Sequence, residues 1–170
     1  MSGDHGDQAR TTVLVKVPPD VAFRVFTEEI DLWWRRGPRY RVAGKRAGTI
    51  HMEPGVGGRL FESFEATSGA SLFETGRVLV WEPPSRLVLE WRVSNFAPGE
   101  RTEVEVVFAP SPSGTQVTVT HRGWAAIRGD HPVRHGLDVG PFLRVIGLWW
   151  SDLATSLREH VARTHAPRGE

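Results

Sequence analysis

Apolar and polar residues alternate at the start of the chain and then recur at helical spacing. Residues 11–17, TTVLVKV, have the β-branched composition of a strand, and a Pro-Pro pair ends them. Because proline suits the first position of a helix, the second proline begins a predicted helix over residues 19–28 with an apolar face. The segment IDLWW at 30–34 predicts a second short helix, and residues 35–49 are irregular and basic.

Strands and turns alternate over the middle of the chain, from residue 50 to 124. Val117, Val119 and His121 fall on one face of a predicted strand, and threonines fall on the other. Gly, Pro and Ser pairs between the apolar runs predict short turns, which favour an antiparallel sheet with one apolar face. The predicted strands are 49–53, 58–65, 72–81, 86–93, 102–109 and 115–122.

A long helix is predicted over residues 140–163, because Leu143, Ile146 and Trp150 recur at helical spacing. Trp149 lies about 100° around the helix from Trp150 and widens the apolar arc of its first half. A wide arc indicates two apolar neighbours, of which the sheet is one and either the LWW helix or a cavity is the other. The order of elements predicts an α+β domain in which this helix covers the sheet.

The composition narrows the class of protein. A chain of 170 residues fits one domain, predicted over 11–163, with flexible tails at 1–10 and 164–170. Zero cysteines exclude disulfides and thiolate chemistry and favour a cytoplasmic protein. The net charge of +1 does not support nucleic-acid or membrane binding, and no apolar run approaches the ~20 residues of a membrane span. No cofactor is expected, and a monomer and a homodimer both stay open.

Six motifs occur in a fixed order along residues 11–163. They are VPPDVAFRVFT, LWW, GVGGRLFESFE, GRVLVWEPPSRLVLEWR, GTQVTVTHRGW and GLWWSDLATSLREHV. This ordered set resembles the homologues of the activator of heat-shock protein 90 ATPase, in the START-related SRPBCC superfamily. The resemblance implies a helix-grip fold, in which a curved antiparallel sheet wraps around a long C-terminal helix and leaves a cavity. It also implies that many members bind small hydrophobic or amphipathic molecules in that cavity.

Candidate cavity residues follow from parity on the strands and from the tryptophans. His121 shares a face with valines, so it is either a polar group that orients a ligand or a hydrogen-bonded core histidine. Glu62 and Glu74 share parity with apolar positions, although a single β-bulge would turn either outward. No catalytic residue is assigned. The candidate ligand-binding residues are Trp33, Trp34, Glu62, Glu74, Trp91, His121, Trp124, Phe142, Trp149 and Trp150.

Two further segments carry possible chemistry. HPVRH places His131 and His135 four residues apart, but the proline and a following glycine favour a loop, so no metal site is predicted. The basic stretch RRGPRYRVAGKR at 35–46 is interpreted first as a solvated loop. Contact with nucleic acid, with an acidic partner or with the anionic head group of a ligand at the cavity mouth are the alternatives.

Three functions are compatible with these features. A domain that binds a small hydrophobic or aromatic molecule is favoured, because seven tryptophans are a large excess. A co-chaperone or other protein-interaction module is suggested by the family resemblance. A cyclase or hydrolase would use His121 and one glutamate as an acid–base pair, but no spacing in the sequence requires an enzyme.

Overall fold

A computed structural model describes residues 8–44, 48–92, 96–127, 130–134 and 136–165. Within them the chain forms one antiparallel sheet, three α-helices and two 3₁₀ turns at Trp124–Ala126 and Pro132–Arg134. The elements in chain order are β1 (Gln8–Val15), α1 (Pro19–Glu28), α2 (Ile30–Trp33), β2 (Gly48–Met52), β3 (Arg59–Ala66), β4 (Gly69–Glu82), β5 (Arg86–Trp91), β6 (Thr102–Ser111), β7 (Gly114–Arg122) and α3 (Val139–Thr164).

The sheet has the strand order β1-β7-β6-β5-β4-β3-β2, and each pair is antiparallel. Consecutive strands from β2 to β7 are neighbours because short turns join them, whereas β1 pairs with the last strand. The two helices after β1 therefore cross from one edge of the sheet toward the other. Helix α1 begins at Pro19 as predicted and buries Phe23 and Phe26 against Phe108 of the sheet.

Helix α3 lies across the apolar face of the sheet. Trp150, Leu153 and Leu157 are buried there beside Val13 of β1 and Val117 of β7. A curled seven-strand sheet around a long terminal helix, with short helices after the first strand, confirms the predicted helix-grip fold. Among the helices in the described ranges, none is both long and apolar enough to cross a membrane.

The first strand and the last helix of the structure each extend slightly into the segments that the sequence analysis assigns to the tails. Strand β1 begins at Gln8, because Gln8 continues the β1–β7 ladder opposite Arg122. Helix α3 ends at Thr164, and His165 caps it. The rest of the two predicted tails, residues 1–7 and 166–170, lies outside the described residues, as does Val93 of the predicted strand 86–93.

A β-bulge bends the sheet next to the cavity. Leu60 pairs with Gly76 and Phe61 pairs with Glu74, so Thr75 is an extra residue on β4. Gly76 is required there, since a Cβ atom at this position would lie 1.6 Å from the carbonyl oxygen of Glu90. The bulge sets which side chains of β4 face inward beyond this point.

Candidate functional site

A half-enclosed cavity of about 210 Å³ lies between the loop after α2, strands β3 to β5 and the first half of α3. Its wall is mainly aromatic and aliphatic, with a few polar groups, as in small-molecule sites. The aromatic residues of the wall are Trp34, Tyr40, Phe61, Phe73, Trp91 and Trp149, and the polar ones are Arg39, Arg41, Glu62, Thr75 and Arg92.

Trp34 is the centre of a cluster of tryptophans. Its ring centroid lies 5.3 Å from that of Trp33, 5.7 Å from Trp150, 5.8 Å from Trp149 and 5.9 Å from Trp91. The tilted and edge-to-face arrangements are those that aromatic quadrupoles favour. The space between the two Trp doublets is therefore filled by the tryptophans themselves, and the cavity lies beside this cluster.

The two members of the GLWW doublet point to different environments, as their spacing predicts. Trp150 is buried against the sheet. Trp149 is half-buried, lines the cavity and stacks on Tyr40 with the centroids 5.9 Å apart. Its indole N–H donates to the carbonyl oxygen of Arg39 at 2.9 Å, and that of Trp34 donates to the carbonyl of Tyr40 at 3.0 Å. The tryptophans thus hold the basic loop, which is the described part of the basic stretch at residues 35–44, against the cavity.

His121 lies in the core and not in the cavity wall. Trp150 donates its indole N–H to Nδ1 of His121 at 3.0 Å, so Nε2 carries the ring proton and donates to Oγ1 of Thr102 at 2.7 Å. Thr102 in turn donates to the carbonyl of Trp91 at 3.0 Å. Burial lowers the pKa of His121 to about 3. A neutral, fully hydrogen-bonded imidazole serves packing, and of the two sequence interpretations the core histidine matches this geometry.

Glu62 lines the cavity, but its carboxylate is used structurally. The backbone N–H groups of Val42 and Ala43 donate to Oε2 and Oε1 at 2.7 and 3.1 Å. Glu62 is 4 % exposed, and these two charge-assisted bonds replace its hydration. The side chain therefore ties the basic loop to β3.

Three arginines line the cavity, and they differ in how far their charge is compensated. Arg41 is buried, and it donates to Oδ1 of Asp31 at 2.6 Å and to the carbonyl of Trp34 at 2.8 Å. Arg39 is mostly exposed and lies 3.9 Å from Asp152. Arg92 donates from Nη2 to a backbone carbonyl at 3.0 Å, while its buried Nε has no hydrogen-bond partner among the described residues. Arg39 and Arg92 therefore keep the capacity to bind an anion.

Five of the other predicted site residues lie away from the cavity wall. Trp33 donates its indole N–H to the carbonyl of Phe26, and Trp150 anchors α3. Trp124 and Phe142 pack on each other in a second apolar cluster with Phe96 and Ile127. Glu74 is turned outward by the bulge and pairs with Arg77 at 3.3 Å.

The structure brings four of the ten predicted residues to the cavity: Trp34, Glu62, Trp91 and Trp149. Sequence reasoning missed Phe73 and Thr75 because the bulge reverses their parity. It also missed Arg92, which follows the last residue of β5. Arg39 and Tyr40 belong to the basic stretch at 35–46. One alternative for that stretch, contact with a ligand head group at the cavity mouth, would have identified both residues.

Of the two histidines in the HPVRH segment, the structure describes His131. His131 is buried, its Nδ1 accepts the N–H of Val133 at 3.1 Å, and its Nε2 lies 3.3 Å from Oε1 of Glu100. His135 lies outside the described residues. Within the described ranges, side chains of metal-binding type converge instead at the end of α3, where Glu29, His160 and His165 meet.

Comparisons with known proteins agree with this architecture. Solved structures of similar fold include a Mesorhizobium loti protein, with 20 % identity and a TM-score of 0.63 over 92 % of this chain and 98 % of that one. An AHSA1-like protein from Aeromonas hydrophila has 18 % identity and a TM-score of 0.58 over 96 % and 99 %. The Aha1 dimer from Colwellia psychrerythraea has 15 % identity and a TM-score of 0.59 over 89 % and 93 %.

These identities establish a shared fold. No curated protein matches the chain. The family model described as "Activator of Hsp90 ATPase homolog 1-like protein" matches residues 16–139, which include α1, the tryptophan LWW segment and the sheet from β2 to β7. The chain therefore belongs to the Activator of Hsp90 ATPase homolog 1-like family, within the SRPBCC superfamily.

Proposed function

We propose that the chain binds a small, flat aromatic molecule with an anionic group, in the cavity beside Trp34, Trp91 and Trp149. The observation that carries the proposal is that three tryptophans line one cavity together with two incompletely paired arginines, Arg39 and Arg92. An apolar cavity of ~150 Å³ is enough for benzene. A volume of about 210 Å³ therefore suits one ring or two fused rings better than a long acyl chain.

The tryptophan wall favours an aromatic guest. Aromatic pairs contribute roughly 0.5–1.5 kcal/mol beyond the burial of their area, and several such contacts are available to one ring in this cavity. The indoles of Trp34 and Trp149 are already held by hydrogen bonds to the loop carbonyls of Tyr40 and Arg39. Because these rings are ordered before binding, little conformational entropy is lost when a ligand enters.

The charges around the cavity favour an anion. The one acidic side chain among the residues lining the cavity, Glu62, is occupied by two backbone N–H groups. Arg41 is compensated by Asp31 at 2.6 Å. The remaining positive charge belongs to Arg39 and Arg92, and a guanidinium pairs well with a carboxylate.

Three probes of the same shape separate the aromatic from the electrostatic contribution. Naphthalene-2-carboxylate, naphthalene-2-carboxamide and 2-naphthylmethylammonium are titrated into the protein by calorimetry, with tryptophan fluorescence as a second readout. The carboxylate is expected to bind tightest, the amide less tightly and the cation least. Binding of none of the three, or equal affinity for all of them, would overturn the proposal.

Variants then assign the charge preference. Arg92→Gln and Arg39→Gln are expected to weaken the carboxylate about tenfold or more, because a hydrogen bond to a charged group contributes roughly 1.5–3 kcal/mol. The same variants should leave the amide nearly unchanged. Arg101→Gln is the matched control, since its side chain is 64 % exposed, as Arg39 is 62 % exposed, and it pairs with Glu90 outside the cavity. Trp149→Leu should weaken all three probes.

A further inference from the structure

Glu29, His160 and His165 form a compact cluster at the end of α3 that the ligand cavity does not include. Nε2 of His160 lies 2.8 Å from Oε1 of Glu29, and Nε2 of His165 lies 2.9 Å from the same oxygen and 2.8 Å from Oε2. One atom from each of the three side chains lies within 4.8 Å of the others. The cluster therefore brings two imidazole nitrogens and one carboxylate within reach of a single bound ion.

Helix ends bring these residues together. Glu29 is the C-cap residue of α1, and His165 is the C-cap residue of α3, so each leaves its helix with non-helical backbone angles. Residues 160 and 165 would point about 140° apart on a regular helix. The cap conformation of His165, with φ −127° and ψ −4°, brings its ring back toward His160, and the two ring centroids lie 6.0 Å apart.

The position of Glu29 is electrostatically unusual for a carboxylate. The C-terminal ends of α1 and α3 both lie at the cluster, and the carbonyl end of a helix favours positive charge. Burial opposes the charged form of Glu29, yet the hydrogen bonds from His165 and His160 outweigh it and hold its pKa below the ordinary value. An ionised carboxylate between two helix C-termini is a favourable place for a cation.

The donor set matches a zinc-type ion. Two histidines and one glutamate are a known three-residue ligand set for Zn²⁺, with solvent or substrate in the fourth position. Ligands at about 2.1 Å in a tetrahedron lie about 3.4 Å apart, so the 2.8 and 2.9 Å contacts between imidazole and carboxylate need to open by about half an ångström. The two imidazole nitrogens lie within 4.8 Å of each other, so they need to approach by at most about 1.4 Å. His160 is buried, while Glu29 and His165 are about one-quarter exposed, which leaves solvent access for entry of the ion and for a fourth ligand.

We infer that Glu29, His160 and His165 form a binding site for one divalent transition-metal ion of the zinc class. The ion takes the Nε2 lone pair of each ring, so each imidazole carries its proton on Nδ1 in the bound form. It links the ends of α1 and α3. The site is independent of the proposed aromatic ligand, because His160 follows Trp149 by about three helical turns.

The test begins with the full chain, freed of metal by a chelator and desalted. Zn²⁺ is titrated by calorimetry, and Co²⁺ by its visible absorption, which is stronger for four-coordinate than for hexaaqua ions. Histidine ring ¹H–¹⁵N spectra then locate the ion in the unmodified protein. We expect one equivalent of Zn²⁺ to bind and to shift the ring resonances of His160 and His165, with those of His121 and His51 unmoved.

His165→Gln separates metal binding from hydrogen bonding. A glutamine amide can still donate to Glu29, so the contact between the helices survives while an imidazole ligand is lost. We expect Zn²⁺ affinity to fall more than about 100-fold, since even groups outside the coordination sphere change affinity 10–100-fold. Glu29→Gln should have a similar effect. His51→Gln is the control, because His51 is exposed and stacks on Phe61 of the sheet.

Zinc binding should also change the thermal stability of the protein. Zinc should raise the melting temperature of the wild type and of His51→Gln, and should leave His165→Gln unchanged. The inference fails if the wild type binds no Zn²⁺, if His165→Gln binds it equally well, or if the shifted resonances belong to other histidines. In those cases the three residues are a hydrogen-bonded contact between helix ends and nothing more.

Discussion

Trp150 donates its indole N–H to Nδ1 of His121 at 3.0 Å, and this contact determines the state of a histidine that is only 2 % exposed. Because Nδ1 accepts this hydrogen bond, the ring proton lies on Nε2, which donates it to Oγ1 of Thr102. In this neutral tautomer, each ring nitrogen of His121 makes one hydrogen bond. The polar path from α3 to β5 is therefore part of the core and fixes how the last helix sits on the sheet.

The first prediction concerns pH. Burial lowers the pKa of His121 from 6.5 to about 3, so between these values the unfolded chain binds one more proton at this site. The free energy of unfolding is therefore unaffected by the titration of this group above pH ~6.5. It decreases as the pH falls below that value, by up to about 1.4 kcal/mol per pH unit. Urea unfolding of the wild type and of His121→Gln, at about pH 7 and about pH 5, measures the difference. A wild type and His121→Gln with equal pH dependence would contradict it.

The second prediction compares the two neighbouring tryptophans. Trp150→Phe removes the donor to His121 and leaves a buried acceptor unpaired, which should lower the free energy of unfolding by about 2–4 kcal/mol. Trp149→Phe removes a solvent-exposed hydrogen bond to the carbonyl of Arg39. This change should lower the free energy of unfolding by about 1 kcal/mol or less. Denaturant titrations of both variants provide the comparison. Equal losses would show that the histidine contact contributes nothing.

The third prediction concerns the loop beside the cavity. Glu62→Gln keeps one acceptor oxygen but loses a charge-assisted bond to Val42 or Ala43, for a loss of about 1.5–3 kcal/mol in local stability. Hydrogen exchange at these two amides should accelerate correspondingly. Glu65→Gln is the control on the same strand, because Glu65 is exposed and its substitution should change stability by less than about 0.5 kcal/mol. Unchanged exchange at both amides would mean that another contact holds the loop.

The fold could be predicted from the sequence because the patterns that indicate its helices, strands and turns are local and repeated. Helix 19–28 was located to the residue by Pro19 and a periodic apolar face, and Gly/Pro turns placed the strands within a few residues. The divergence of Trp149 and Trp150 also follows from helix geometry alone. These features are fixed by neighbours in the sequence, so pattern reasoning reaches them.

The cavity depends on features that no local pattern encodes. One extra residue, Thr75, reverses the parity of β4, so Glu74 faces outward while Phe73 lines the cavity. Glu62 has the predicted parity, but its partners are the backbone amides of a loop twenty residues earlier. Likewise, Glu29 meets His165 only because two helix ends converge. Sites assembled from distant caps, loops and bulges require the three-dimensional structure.

The last prediction tests the bulge through a pair of glycines. Gly76→Ala would place a Cβ 1.6 Å from the carbonyl oxygen of Glu90, so β4 and β5 must separate locally, at about 3 kcal/mol or more. Gly147→Ala has nothing within 4 Å of the new Cβ and lies inside α3, where alanine should stabilise by about 0.5–1 kcal/mol. Thermal and urea unfolding should therefore shift in opposite directions. If Gly76→Ala unfolds like the wild type, then the close approach of β4 to β5 at the cavity edge is not a feature of the folded protein.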